Sequence, residues 1–170
     1  MNLALVAFVI SVANTAFVAV SAFLLWNQIR REHNWNRRKA AHDLLFLASN
    51  DLRQLRDRLE SKVDIWDDSQ TYSNLKERLT KEDQRALDAI LNYLENICLA
   101  VHNGVVDEKL IYDTLSGVVI AYRRWAGPYI KEQRGKNNLF WIGIEPYADS
   151  WQRKDRDMVH KAAGEKRVPA

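Results

Sequence analysis

Residues able to do chemistry are sparse and scattered in this chain. A carboxylate-bridged di-metal centre in a helical bundle needs two Glu-x-x-His motifs and further carboxylates on facing helices. The nearest approach is one acid–histidine pair, Asp157 and His160, near the C-terminus. The remaining histidines, His33, His42 and His102, are far apart. The adjacent acids Asp67 and Asp68 lack further ligands and read as solvated. Cys98 is the only cysteine, which excludes an intrachain disulfide and a thiolate metal site and fits a small buried hydrophobe. The six glycines never cluster into a phosphate-binding loop, and no Ser, Thr or Cys stands in a nucleophile signature. No catalytic, cofactor-binding or metal-binding residue is therefore assigned, no cofactor is expected, and the chain reads as a non-enzyme.

The elements that would have to position any site say more. Residues 3–26 carry no charge, and Arg30, Arg31, Arg37, Arg38 and Lys39 follow. About 20 apolar residues at about 1.5 Å each cross a hydrocarbon core of about 30 Å, so residues 1–26 read as a transmembrane helix. The basic residues come after the apolar run, against the pattern of a cleaved signal peptide. By the positive-inside rule the short N-terminus lies outside and the C-terminal domain in the cytoplasm. The basic flank then meets anionic membrane lipid, which accounts for much of the net charge of +3 without nucleic acid.

Asn14 is the polar interruption of the span, and an amide in lipid gains from a partner on another helix. From Asn27 to Trp66 no Gly or Pro occurs, and Leu45, Ala48, Leu52, Leu55 and Leu59 recur at helical spacing. Residues 27–66 are therefore expected to form a basic stalk helix, continuous with the span as one rod. Residues 67–163 are expected to form a helical bundle completed by the stalk, with 164–170 a frayed tail.

Within the bundle, a polar loop at 64–80 precedes a helix opened by a Thr80–Asp83 capping box. Gly104 supplies a left-handed stop, and Asp107 caps the next helix to make an antiparallel hairpin. Gly127 and Pro128 are expected to kink or end that helix near Tyr129. A last helix is expected over 146–161. The fold class is all-α, with no strand alternation and no internal repeat.

The segment 91–130 carries Leu-Asn-Tyr-Leu-Glu-Asn-Ile, then Val101, Asn103-Gly104, Asp107-Glu108, Tyr112, Tyr122, Trp125 and Pro128-Tyr129-Ile130. It resembles a family of small bacterial and phage-associated proteins in which a membrane helix precedes a helical domain of unknown function. The resemblance implies architecture and a bacterial inner-membrane location, with no catalytic residue to carry across. Its best-matching positions are Glu95, Gly104, Asp107, Arg123 and Trp125, and Glu95 is expected to pair with Arg123 or Arg124 across the hairpin.

The first functional reading is a membrane-anchored interaction module that docks on another membrane protein or on a second copy of itself. Asn14, Trp35 and Trp66 are its partner-binding candidates, the two tryptophans because polar neighbours flank them on or beside the stalk. The second reading is a ligand-sensing or accessory enzyme bundle with a pocket near Glu95, Tyr122 and Arg123. By analogy with the phage association, a third is an exclusion or defence role at the cell membrane.

Overall fold

The computed structural model describes residues 3–47 and 49–165, with side chains at 8, 10–45 and 52–160. These residues form six α-helices and no strand: α1 (Leu3–Leu47), α2 (Ser49–Glu60), α3 (Tyr72–Leu75, followed by a 3-10 turn over Lys76–Arg78), α4 (Lys81–His102), α5 (Glu108–Arg134) and α6 (Ile144–Glu165).

α1 is a helix of 45 residues, about 68 Å long. It is long and apolar enough to cross a membrane, and its apolar window is not buried against the rest of the molecule. As expected, it runs on from the apolar segment into the basic one. Helix stops at Glu60 rather than near Trp66, so the stalk is shorter at its far end than expected.

The end of α1 and α2 together track α4 in the antiparallel sense. The Tyr93 hydroxyl donates to the Leu44 carbonyl at 3.4 Å, and Lys62 reaches Asp83 at 2.6 Å. α4 and α5 form the expected hairpin. Thr80 and Asp83 make a full capping box, Gly104 takes φ +65°, and Asp107 accepts the Leu110 N–H at 3.2 Å. α6 returns antiparallel to α5, with Arg123 beside Glu145 and Lys154 beside Glu108.

Where these helices meet lies one core that includes Leu59, Ile65, Leu87, Leu91, Leu94, Ile97, Ile111, Tyr122, Trp125, Ile144 and Trp151, all essentially inaccessible. Burial of this apolar surface, at about 25 cal/mol per Å², is the main force holding the helices together.

Two further helices differ from their expected bounds. α5 continues through Pro128 to Arg134. Proline removes the donor for the Arg124 carbonyl, yet Tyr129 and Ile130 just beyond it are buried, so packing holds the last turns in register. α6 begins at Ile144 and includes Gly164 and Glu165; the rest of the expected tail lies outside the described residues.

Candidate functional site

Part of the basic flank of the apolar helix packs against the bundle. Arg37 donates to the Val106 carbonyl from Nε at 3.3 Å and Nη2 at 2.9 Å, while the Asp107 N–H donates to the Arg37 carbonyl at 3.3 Å. Arg38 Nε lies 3.2 Å from Asp107 Oδ2. Burial pushes the Asp107 carboxyl up, but its bonds from Leu110 N–H and Arg38 hold it below the usual carboxylate range. One turn further on, Ala41 is fully buried. Thus Arg37 and Arg38, expected to face the membrane, bond to the α4–α5 turn, Arg37 partly buried and Arg38 exposed, and Arg30, Arg31 and Lys39 are exposed without such a contact.

Asn14 is exposed on the apolar helix, and its amide has no hydrogen-bond partner among the described residues. Its neighbour Thr15 is satisfied locally, donating to the Ser11 carbonyl at 2.9 Å. Trp35 is 68% exposed and shares a shallow cleft with Arg38, Lys39, His42 and Leu110. Trp66 is 54% exposed, and its ring edge lies 3.7 Å from where a Cβ on Gly117 would stand. Leu110 and Gly117 are two turns apart on one face of α5, about 10 Å. The fold thereby brings Trp35 and Trp66 to the same strip, with Asn14 well away along α1.

The three residues expected to share a pocket go to separate places. Glu95 does not pair with an arginine: its carboxylate accepts the N–H of Gly143 and of Ile144, each at 3.0 Å, at the start of α6. Tyr122 is fully buried, with its hydroxyl 3.2 Å from Glu60 Oε1. Arg123 turns to α6 instead, reaching Glu145 at 3.0 Å and Asp149 at 3.4 Å. Arg124 holds Asp68 and the Ile65 carbonyl, so one of the two adjacent acids is an ion-pair partner.

A cleft that sequence reasoning missed lies between α5 and α6. Its volume is about 390 Å³, and Arg123, Gly127, Ile130, Lys131, Arg134, Trp141, Ile144 and Glu145 line it. Positions 123, 127, 130, 131 and 134 share one face of α5 by helical spacing. Arg134 donates from all three of its nitrogens, to Phe140 O at 2.9 Å, Glu145 Oε2 at 2.8 Å and Trp141 O at 2.8 Å. That guanidinium, with Arg123 adding to it, holds the Glu145 carboxyl below its usual range against the opposing effect of burial.

Trp141 is a non-glycine residue in the left-handed region, with φ 51°. Three contacts hold it there: the Arg134 bond to its carbonyl, a bond from its indole N–H to Asn92 at 2.8 Å, and ring contact with Tyr129 at 5.8 Å. Backbone strain of this kind persists where the surroundings over-determine it. A sequence signal existed in the spacing of Arg123, Lys131 and Arg134 about Gly127, but the α6 side of the cleft depends on long-range packing. Among the described residues no group of three or more His, Cys, Asp or Glu is placed to hold a metal ion.

The family model for a domain of unknown function, DUF4760, matches residues 15–151. The chain belongs to the DUF4760 family. The match agrees with the resemblance read over 91–130 in pointing to a family without an assigned function. The DUF4760 domain here takes in part of the apolar helix, the Arg37–Asp107 clamp and the whole cleft, and it ends at Trp151 inside α6. No curated protein and no solved structure gives a significant match to the chain.

Proposed function

We propose that this DUF4760 protein is a membrane-anchored, non-enzymatic interaction module that engages another membrane protein or a second copy of itself. In this reading α1 crosses the bacterial cell membrane with its N-terminus outside, and the bundle sits in the cytoplasm. The observation that carries it is the exposure of the apolar helix. Phe8, Phe17, Val18, Phe23 and Trp26 are each more than 60% exposed, on a helix continuous with the residues that clamp the bundle. Such a surface is stable in lipid or against another chain, not in water. Arg30 and Arg31 directly after it favour the orientation.

Asn14, whose amide lacks a partner among the described residues, and the strip of α5 against which Trp35 and Trp66 lie supply the contacts beyond lipid. Bulky aromatic side chains left half-exposed on one strip are frequent anchors of protein interfaces.

Native purification of the full-length protein in mild detergent, with mass spectrometry of what stays bound, tests the reading. A stoichiometric second protein or a defined homo-oligomer is expected. Asn14→Leu and Trp35→Ala should each weaken that assembly while leaving the helical circular dichroism unchanged. A monomer with no partner, or an assembly unaffected by both changes, would sink the proposal.

A further inference from the structure

We propose that the cleft between α5 and α6 binds a small organic anion: a carboxylate or phosphate head against Lys131 and Arg123, and an apolar body against the accessible edges of Ile130 and Trp141. The cleft, of about 390 Å³, is large enough for a ligand of roughly ten to twenty heavy atoms.

Its charge is cationic. Arg123, Lys131 and Arg134 face Glu145 and Asp149, three positive groups against two negative ones. The three differ in what they have left to give. Arg134 uses each of its three nitrogens on the protein itself, bonding Phe140, Glu145 and Trp141, and so it builds the wall. Arg123 reaches both of its acceptors through Nη2 alone, leaving Nε and Nη1 of the fork for a further acceptor. Lys131 is exposed, and its ammonium has no acceptor among the described residues. A cation with free donors beside a second one, over an apolar floor, is a site for an anionic head with a hydrophobic body.

A glycine lines the space. Gly127 lies between Arg123 and Lys131 on the cleft face, inside a helix where glycine is less stable than alanine. A Cβ built there would meet nothing within 4 Å, so close packing does not demand the glycine. What glycine does is leave room between the two cations. Opposite it, Trp141 is held in its left-handed conformation by three contacts and is nearly buried, which fixes the aromatic wall.

The position in the fold points to a ligand from the aqueous phase rather than a lipid headgroup. α1 leaves the bundle beside Val106 and Asp107, whereas Gly127 is 20 residues further along α5, about 30 Å from that end. The cleft is made by the bundle alone, so its occupancy does not depend on whether α1 spans a bilayer.

Ligand-observed NMR on the full-length protein in zwitterionic nanodiscs, with empty nanodiscs as control, tests this using phenyl phosphate, inorganic phosphate and benzyl alcohol as probes. Phenyl phosphate should bind with a Kd of about 1 mM or better and more tightly than either other probe. Gly127→Leu, which fills the cleft, and Lys131→Gln, which removes an exposed charge, should each weaken it by about tenfold. Gly127→Ala should keep binding, because the added methyl fits the open space. Should Gly127→Leu disturb folding, Lys131→Gln alone decides. Absence of phenyl phosphate binding, binding equal to that of inorganic phosphate, or binding unchanged by Lys131→Gln would overturn the assignment.

Discussion

The carboxylate of Glu95, midway along α4, accepts the Gly143 N–H 48 residues away, with both oxygens at 3.0 Å, and takes the Ile144 N–H as well. It is the cap of α6, supplied by another helix. The first N–H groups of a helix need acceptors and carry partial positive charge, so an anion there satisfies both. Glu95→Ala should lower the unfolding free energy of the full-length protein in detergent by about 2 kcal/mol, and Glu95→Gln by less, since an amide oxygen still accepts. Urea titration followed by circular dichroism measures both; no change for Glu95→Ala would mean that water caps the helix equally well.

Gly143 is the other half of that contact. A Cβ there would stand 3.1 Å from Glu95 Oε2, tighter than ordinary packing. Gly143→Ala should therefore destabilise by roughly 1 kcal/mol in the native background and by clearly less beside Glu95→Ala. A double-mutant cycle showing strict additivity would remove the link between the two positions.

Asp83 should contribute to the acid limb of stability. It is fully buried; desolvation pushes its carboxyl up, but Lys62 at 2.6 Å, the Thr80 hydroxyl and N–H, and Arg58 at 3.1 Å hold it well below the ordinary 3.8. Because the folded value is the lower one, the native state favours the ionised form. The stabilisation is complete above about pH 5 and is lost progressively as pH falls through 3.8 toward the folded value. Asp83→Asn should cost about 2 kcal/mol at pH 7 and flatten the acid limb of a stability-against-pH curve. A variant with an unchanged acid limb would show that other carboxylates set it.

Cys98 should be inert in the folded protein. It is completely buried, and burial, with Glu95 nearby, pushes its thiol up to about 12. At pH 8 iodoacetamide should modify it at least about a hundredfold more slowly in the native state than in urea. Rapid native labelling would mean that the α4–α6 contact opens often.

The clamp at Arg37 should fix the bundle relative to the apolar helix. Spin labels at Gln28 on α1 and Asp113 on α5 should give a narrow distance distribution in nanodiscs, and Arg37→Ala should broaden it by freeing the Val106 carbonyl. Identical distributions would leave Ala41 and its neighbours as sufficient to hold the joint.

What the sequence made legible was local. Thr80 with Asp83, Gly104 and Asp107 declare helix ends through bonds made within a few residues, and each stands where its type requires. The apolar face of α4 was legible for the same reason, since its period is that of one helix. Glu95 was misassigned because its partner is backbone, and backbone N–H groups have no letter in a sequence. A hint lay in residues 141–144, Trp-Ile-Gly-Ile, which open a helix without any side chain able to cap it. Pro128 failed as a boundary marker because buried Tyr129 and Ile130 outweigh one missing bond. The cleft was half visible, in that Arg123, Gly127, Lys131 and Arg134 share a face. Its Trp141 wall exists only through Asn92 and Arg134.

The continuity of α1 also sets an angular phase. Asn14 and Ala41 are separated by about seven and a half turns at 3.6 residues per turn, so in a straight helix they point in opposite directions. The side of the rod that holds the bundle is thus opposite the side that offers the amide. Two copies meeting at Asn14 would carry their bundles outward on opposite sides of the pair, with neither bundle in the other's way.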